Sequence, residues 1–567
     1  MPFDRNAHPQ EKRQLAKGVL SVANGTLDTT HLAGESYLGS AGGRNSGLLS
    51  WLTSTDHKRI GLMYAATMLA LFGLGLCLGL LMRLELFTAS GNLFGAKMYN
   101  AVFTLHGVVM IFAFVIPGLP AVFGNFCLPI MLGAKDVSFP RLNLLSYWLF
   151  VIGLVLVVIS LFTGGGAPDT GWTFYAPYSV QSNTNVPLAV LGAFTIGFSS
   201  ILTGLNFVTT IHRLKAPGMG WGRMPLFAWA TYATGWMQIL ATPVVGITLL
   251  MVIAERLLGF GFFDPASGGD PVMYQHLFWI YSHPAVYIMI VPAMGAISEI
   301  IPTFSRKPIF GYKAIAGSSL LIAIIGYLVW GHHMFTSGMS DTAAVIFSFL
   351  TFFVAIPTAI KIFNWIATLY KASIDLKTPM LYALAFIFLF TIGGLTGVLQ
   401  AILAVNLHIH DTYYIVAHFH YTMFGGTGFA FFGALHYWFP KMFGRMYNEK
   451  WGRIGCGLFF IGFNTLYFPM FILGYQGNPR RYYEYLPKYE PLHQISTVGS
   501  WILATGIFIV IANLILSLRR GKEAPMNPWG GATLEWKVSS PPPPENFDEI
   551  PNVEHGPYDY RAALGKK

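Results

Sequence analysis

Twelve mostly apolar stretches, each about 20 residues or longer, run along the chain at 60–82, 101–133, 143–162, 186–211, 226–253, 272–298, 314–335, 342–370, 379–402, 412–438, 454–474 and 494–518. That is the length a helix needs to cross hydrocarbon, whereas barrel strands run about 10 residues and alternate in polarity. The pattern predicts an all-α, polytopic membrane protein with twelve transmembrane helices. Pro117, Pro120, Pro243, Pro284 and Pro357 fall inside the runs, which neighbouring helices tolerate by satisfying the freed backbone groups. Three parts follow: a polar, Gly/Ser-rich N-terminal extension over 1–50, a twelve-helix domain over 51–520, and a Pro-rich tail over 521–567, expected to be extended, with Pro541 to Pro544 in a row. The extension has no secretory apolar region, and no repeat of 20–50 residues is visible.

Composition agrees. The chain has 567 residues, 54% hydrophobic and only 11% charged, against about 25% in soluble proteins. A soluble enzyme, a disordered chain and a fibrous protein are excluded on that ground. The net charge of +10 points to basic cytoplasmic loops and not to nucleic acid. One side of the predicted membrane carries Lys58 and Arg59 before the first run, Arg519, Arg520 and Lys522 after the last, and fourteen further Lys and Arg in the loops between, nineteen in all. The other side carries six: Arg83, Lys97, Arg256, Arg480, Arg481 and Lys488. Both termini are therefore expected on the cytoplasmic side. Cys77, Cys127 and Cys456 lie in apolar runs without paired spacing and read as small hydrophobes, not as a disulfide framework or zinc site.

Inside the runs as bounded, Lys361 is the one formal charge. The histidines say more. Counted from the outer ends of their spans, His106, His283, His332, His333, His418 and His420 come from four helices and fall in the outer third of the membrane. A single one reads as a core histidine with a hydrogen-bonded ring, as do His57, His212, His276, His436 and His493. Six at one depth read as ligands, because imidazole is costly to bury and is the commonest ligand for haem iron and copper. His418 and His420 are two apart and point about 200° apart around a helix, so one helix can serve two metals. The adjacent pair His332–His333 cannot share a regular helix face and suits a helix end opening towards one metal.

Four motifs carry a resemblance: His-Pro-Ala-Val-Tyr at 283–287, Gly331-His332-His333, His410-Asp411-Thr412-Tyr413 and His418-Phe419-His420-Tyr421. They closely resemble subunit I of the haem–copper oxygen reductases, within them cytochrome c oxidase, over about Trp51 to Trp536, including Asn527-Pro528-Trp529. The resemblance implies reduction of O2 to water with coupled proton translocation. It makes His106 and His420 the axial ligands of a low-spin relay haem, and His418 the proximal ligand of a high-spin haem. His283, His332 and His333 become the ligands of the copper CuB, with Tyr287 cross-linked to His283 and able to supply an electron and a proton. Haem A is the expected haem. Arg480 and Arg481 are implied to hold haem propionates near Trp172, Arg83 to meet the haem formyl group, and His410 and Asp411 to ligate Mg or Mn. One proton path would use Lys361, Thr358, Ser298 and Tyr287. A second would use Asp136, Asn125, Asn143, Asn206, Ser199 and Ser200, ending at Tyr281-Ser282. The family's frequent glutamate is Ala285 here, and the Tyr-Ser pair is similar to a subgroup in which it takes that glutamate's place. Asn406 stands where an Asp is frequent.

Implied partners are a subunit II carrying CuA, with or without a fused cytochrome c, a subunit III, cytochrome c as donor, O2 and membrane lipid. Nucleic acid is not among them, and the implied location is the bacterial cytoplasmic membrane. A quinol oxidase of the same superfamily is the nearest rival. Nitric oxide reductase fits Tyr287 and the proton paths less well, and a proton-coupled transporter would have no use for the paired ligands of span 10.

Overall fold

The computed structural model of the chain describes residues 36–39, 47–91 and 93–560. Most of the N-terminal extension and the last seven residues of the tail therefore lie outside the described residues. Among those described, no strand occurs, and ten helices are long and apolar enough to cross a membrane. They are α1 (His57–Glu85), α2 (Ala96–Leu132), α3 (Pro140–Ser160), α4 (Val186–Arg213), α5 (Leu226–Leu258), α6 (Pro271–Ser305), α8 (Asp341–Leu369), α9 (Thr378–Ala401), α11 (Glu449–Tyr475) and α12 (Glu490–Arg520). The two remaining predicted spans are present but interrupted. α7 (Tyr312–Gly326) is short and continues into a 3-10 turn, Trp330–Met334. α10 (413–443) is split by the π-helical segment Met423–Gly428, and α2 is broken the same way at Ile111–Val115 and Gly118–Gly124.

Local signals set the ends. The side chains of Asp56, Asn185, Asp270, Ser340 and Asn448 accept backbone N–H groups in the first turns of α1, α4, α6, α8 and α11, satisfying donors that a helix N-terminus leaves free. Pro140 and Pro271 open α3 and α6, where a missing N–H costs nothing. α6 runs through the middle, buried along most of its length and packed against α5, α7, α8, α9 and α10. Cys127 and Cys456 are buried and Cys77 is exposed on an outward face of α1; all three thiols are free.

The expected extended tail is instead packed, over 521–560, across the end of the bundle where α1 begins. Asn546 Nδ2 donates to His57 Nε2 and to Ala134 O, both at 2.9 Å, and Lys58 Nζ donates to Pro544 O at 2.8 Å. Further on, Trp536 Nε1 donates to the Tyr437 hydroxyl and Tyr558 to Glu299. The buried side chains of Leu534, Trp536, Val538, Tyr558 and Tyr560 supply the apolar area that holds it there.

Candidate metal and haem centre

His283 projects from mid-α6, and the 3-10 turn after α7 brings His332 and His333 against it. His283 Nδ1 lies 3.1 Å from His333 Nε2, and the His332 ring centre is 4.5 Å from that of His283 and 4.4 Å from that of His333. One nitrogen from each of the three falls within 4.8 Å of the others. Adjacent side chains splay by about 100° on an α-helix and by more on a 3-10 helix, so periodicity does not aim both at one point; they converge because α7 has ended and the short turn that follows packs both against α6. The rings are fixed from behind. Thr351 Oγ1 is 3.0 Å from His332 Nδ1, and Trp279 stacks on His333 with centroids 3.6 Å apart. His283 Nε2 is buried with no hydrogen-bond partner. Three convergent imidazoles with an unsatisfied buried nitrogen fit a copper ion. One helical turn on, the Tyr287 ring lies 4.8 Å from that of His283.

His418 and His420 sit in the turn before the π segment of α10. Each ring uses Nδ1 for a protein partner: His420 meets Val416 O at 2.8 Å, His418 meets Thr396 Oγ1 at 3.1 Å, and His106 on α2 meets Gly75 O at 2.8 Å. Such outer partners fix the ring and turn its other nitrogen towards a ligand. His420 and His106 lie within electrostatic reach of each other, as do His418 and His332. Glycines keep the space beside the rings open. A Cβ on Gly397 would come to 2.9 Å from His418 Cε1, and one on Gly79 to 3.2 Å from His106 Cε1. These three imidazoles, each anchored through Nδ1, are a donor set that fits haem iron.

At the outer end, Arg480 Nε donates to Asp411 Oδ1 at 2.7 Å and Nη2 pairs with the same oxygen. Burial opposes ionisation of Asp411, but Arg480, His410 and Arg481 outweigh it and hold the carboxyl below its ordinary range. His410 Nε2 stands 4.0 Å from Asp411 Oδ2, and its Nδ1 is 3.1 Å from Asn406 Oδ1. Arg481, in a left-handed conformation with φ 72°, is brought down to about 10 by burial and by Arg480. It lies beside Gly171, next to Trp172, which packs on Phe112, Phe278 and Trp279. Arg83 stands in the last turn of α1. It is buried, and Nη2 donates to His493 O at 2.8 Å and to Thr497 Oγ1 at 3.2 Å, while Nε has no partner.

Lys361 is 1% exposed; Nζ donates to Ser319 Oγ at 2.7 Å and to Ile315 O at 3.1 Å. Thr358 turns back to Val354 O, and Ser298 accepts from Trp365 Nε1 at 3.0 Å. Asp136 lies in the loop after α2, where burial raises its carboxyl to about 7. Asn206 ties that loop down through both groups of its amide, at 3.0 and 3.2 Å to the Phe139 backbone, and Asn125 bonds to Ala121 O. Both amide atoms of Asn143 are buried without a partner. A cavity of about 30 Å³ is lined by Tyr64, Ser199, Ser200, Thr203, Gln238 and Tyr281, among others. Ser200, Gln238 and the adjacent Ser282 each leave a buried oxygen unpaired, which suits ordered water. Tyr64, Thr203, Gln238 and Ser319 were not expected from the sequence. Their only signal was a polar group in mid-span, shared with many residues that merely bond within a helix.

The histidines expected to be structural all hydrogen bond through a ring nitrogen: His57 to Asn125 O, His212 to Tyr232, His276 to Trp330, His436 to Phe432 O and His493 to Asn478.

Comparison with known proteins adds three findings. The family described as cytochrome c and quinol oxidase polypeptide I matches residues 59–502. A cytochrome c oxidase subunit 1 of Synechocystis sp. is 47% identical over 506 residues, 89% of this chain and 91% of the relative, and one of Bacillus subtilis is 42% identical over 90% and 82%. In fold, the chain is similar to a haem–copper terminal oxidase dimer solved by cryo-EM, at TM-score 0.73 and 23% identity, covering 83% of this chain and 85% of that one.

Proposed function

The chain belongs to the cytochrome c and quinol oxidase polypeptide I family, and we propose on that footing that it is the catalytic subunit I of a cytochrome c oxidase, an integral membrane haem–copper oxygen reductase that works with other oxidase subunits. The observation that carries the reading is the convergence of His283, His332 and His333 within 4.8 Å, next to an α10 histidine pair pointing two ways.

Bound haems and copper supply the electron relay and the reduction of O2. The chain's own residues do the rest. His106 and His420 hold the low-spin haem, His418 the high-spin one, and the three imidazoles on α6 and after α7 the copper. Tyr287, beside His283, presents a phenol proton to the reacting space. Lys361, bonded to Ser319, is the reloading point for that proton from the tail-bearing end, with Thr358 and Ser298 on the same route. Asp136 and the cavity among Tyr64, Ser199, Ser200 and Gln238 form a second route that ends at Tyr281 and Ser282 in place of a glutamate. Arg480, Arg481, Arg83 and Trp172 surround the outward groups of the haems, and His410 with Asp411 takes Mg or Mn once Arg480 shares the carboxylate. The haem is haem A, the donor is cytochrome c through a CuA-bearing subunit II, with a subunit III alongside. The protein spans the bacterial cytoplasmic membrane with both termini inside. The 42–47% identity to proteins named cytochrome c oxidase subunit 1 favours this over a quinol oxidase.

Reduced-minus-oxidised spectra and metal analysis of the purified complex test the reading. Two haems and one copper bound to this subunit are expected, and a pyridine haemochrome of haem A; a complex without haem would overturn it.

A further inference from the structure

Where the tail crosses the end of α6 it encloses two carboxyl groups that neither the metal centre nor the two proton routes uses. Glu299 follows Ser298 in α6, and Glu535 lies in the short turn Leu534–Lys537 of the tail; they are 1% and 0% exposed. Their surroundings differ. Glu299 Oε1 accepts from Phe227 N at 2.9 Å and from the Tyr558 hydroxyl at 2.6 Å, and donors of this kind favour the ionised form. Neither oxygen of buried Glu535 has a well-formed hydrogen bond, and the nearby donors, the Thr533 hydroxyl, its own N–H and Trp438 Nε1, are poorly placed for one. A carboxylate left so would be costly, and a carboxylic acid much less so. The two acids interact electrostatically, and like charges in such a setting do not both ionise.

Lys441 balances the pair. Its Nζ donates to Val538 O at 2.6 Å, Met526 O at 2.9 Å and Ser539 O at 3.2 Å, and sits 5.3 Å over the Trp536 ring. One ammonium, one carboxylate and one carboxylic acid leave the cluster neutral. The other titratable groups coupled to the pair are Cys127, Tyr312, Tyr437, Tyr558 and Tyr560, a thiol and phenols that add no charge near neutrality.

We propose that Glu299 and Glu535, closed over by the C-terminal tail and balanced by Lys441, form a binding site for one proton at the end of α6. The pair carries one proton and one negative charge between them. Burial pushes the Glu535 carboxyl up, so the site is loaded in acid and empties as pH rises. Because the acid is raised, the docked tail is most stable with the proton on and loosens as pH rises and the site empties. The tail supplies Glu535, Tyr558 and the carbonyls around Lys441, so the site exists only while the tail is docked. It stands apart from the proposed oxidase chemistry and would survive the failure of either proton route.

An infrared pH titration of the assembled, oxidised complex tests it. The wild type should show a carboxylic-acid C=O stretch, shifted in D2O, that fades between about pH 5 and about pH 9. Glu535→Gln should remove that band while the haem spectrum stays native. Tyr558→Phe removes a donor to the Glu299 carboxylate and should raise the midpoint by about one pH unit. No titrating band in the wild type would overturn the proposal, as would a band that survives Glu535→Gln. A midpoint unmoved by Tyr558→Phe would also overturn it, and this variant decides the matter if Glu535→Gln fails to assemble.

Discussion

The hairpin of α11 and α12 and the histidine-bearing elements α2, α7 and α10 are built from equally apolar sequence but in opposite ways. α11 and α12 are unbroken helices that touch along much of their length. Glycines permit it: a Cβ on Gly499 would run into the backbone of Leu466, and one on Gly462 into that of Leu503. α2 and α10 carry π segments, and α7 ends early in a 3-10 turn. Regular helices bring backbones together and present side chains at fixed angles. A π or 3-10 turn re-aims the side chains around it, which is why such turns gather at functional sites. Close packing therefore rests on regularity here, whereas His332 and His333 reach His283, which projects from the unbroken α6, only through the local loss of it.

Substitutions in the two regions should fail in different ways. His333→Ala should remove copper and abolish O2 reduction while the low-spin haem spectrum persists, checked by metal analysis and optical spectra; copper retained at full turnover would place the irregular turn outside the chemistry. Lys361→Met probes a regular helix, α8, that carries a functional candidate. It should slow reduction of the O2-side haem about a hundredfold and leave the relay haem unaffected in stopped-flow traces. Equal rates would reduce Lys361 to a buried cation satisfied by Ser319. Gly499→Leu should cost about 1–3 kcal/mol through overpacking, seen as lower yield and melting temperature, with native haem spectra in whatever assembles. Loss of one haem at an unchanged melting temperature would contradict the division of labour. Thr396→Val, which takes the hydrogen bond from His418 Nδ1, should lower turnover about tenfold without changing the melting temperature.

Much of this was legible in the chain. The apolar runs located every long helix, and the spacing of His418 and His420 already implied two ligand directions. The motifs around His283 and around His332–His333, through their resemblance, grouped three imidazoles that the fold brings together. The residues that escaped were those whose meaning depends on a neighbour far away in sequence. Gln238 is one polar residue in a long span until Tyr64, Ser199 and Tyr281 close a cavity with it. Arg83 was placed by the resemblance at a haem formyl group, but its hold inside the protein by the carbonyl of His493 and the hydroxyl of Thr497 had no signal in the sequence. Glu535 looked like one charge among many in a polar tail, yet it is fully buried.

The chain's hydropathy settles the class of fold and its histidine spacing points to metal ligands, because both follow from periodicity and residue type along a helix, while the reaction is what the resemblance of its motifs implies. Which helices break, where the tail lies and which polar groups lose their water depend on contacts between segments hundreds of residues apart, as between Lys58 and Asn546 or Glu299 and Tyr558. Those contacts set the burial of each charge, and burial, which no local pattern records, turns an ordinary glutamate into a proton-holding one.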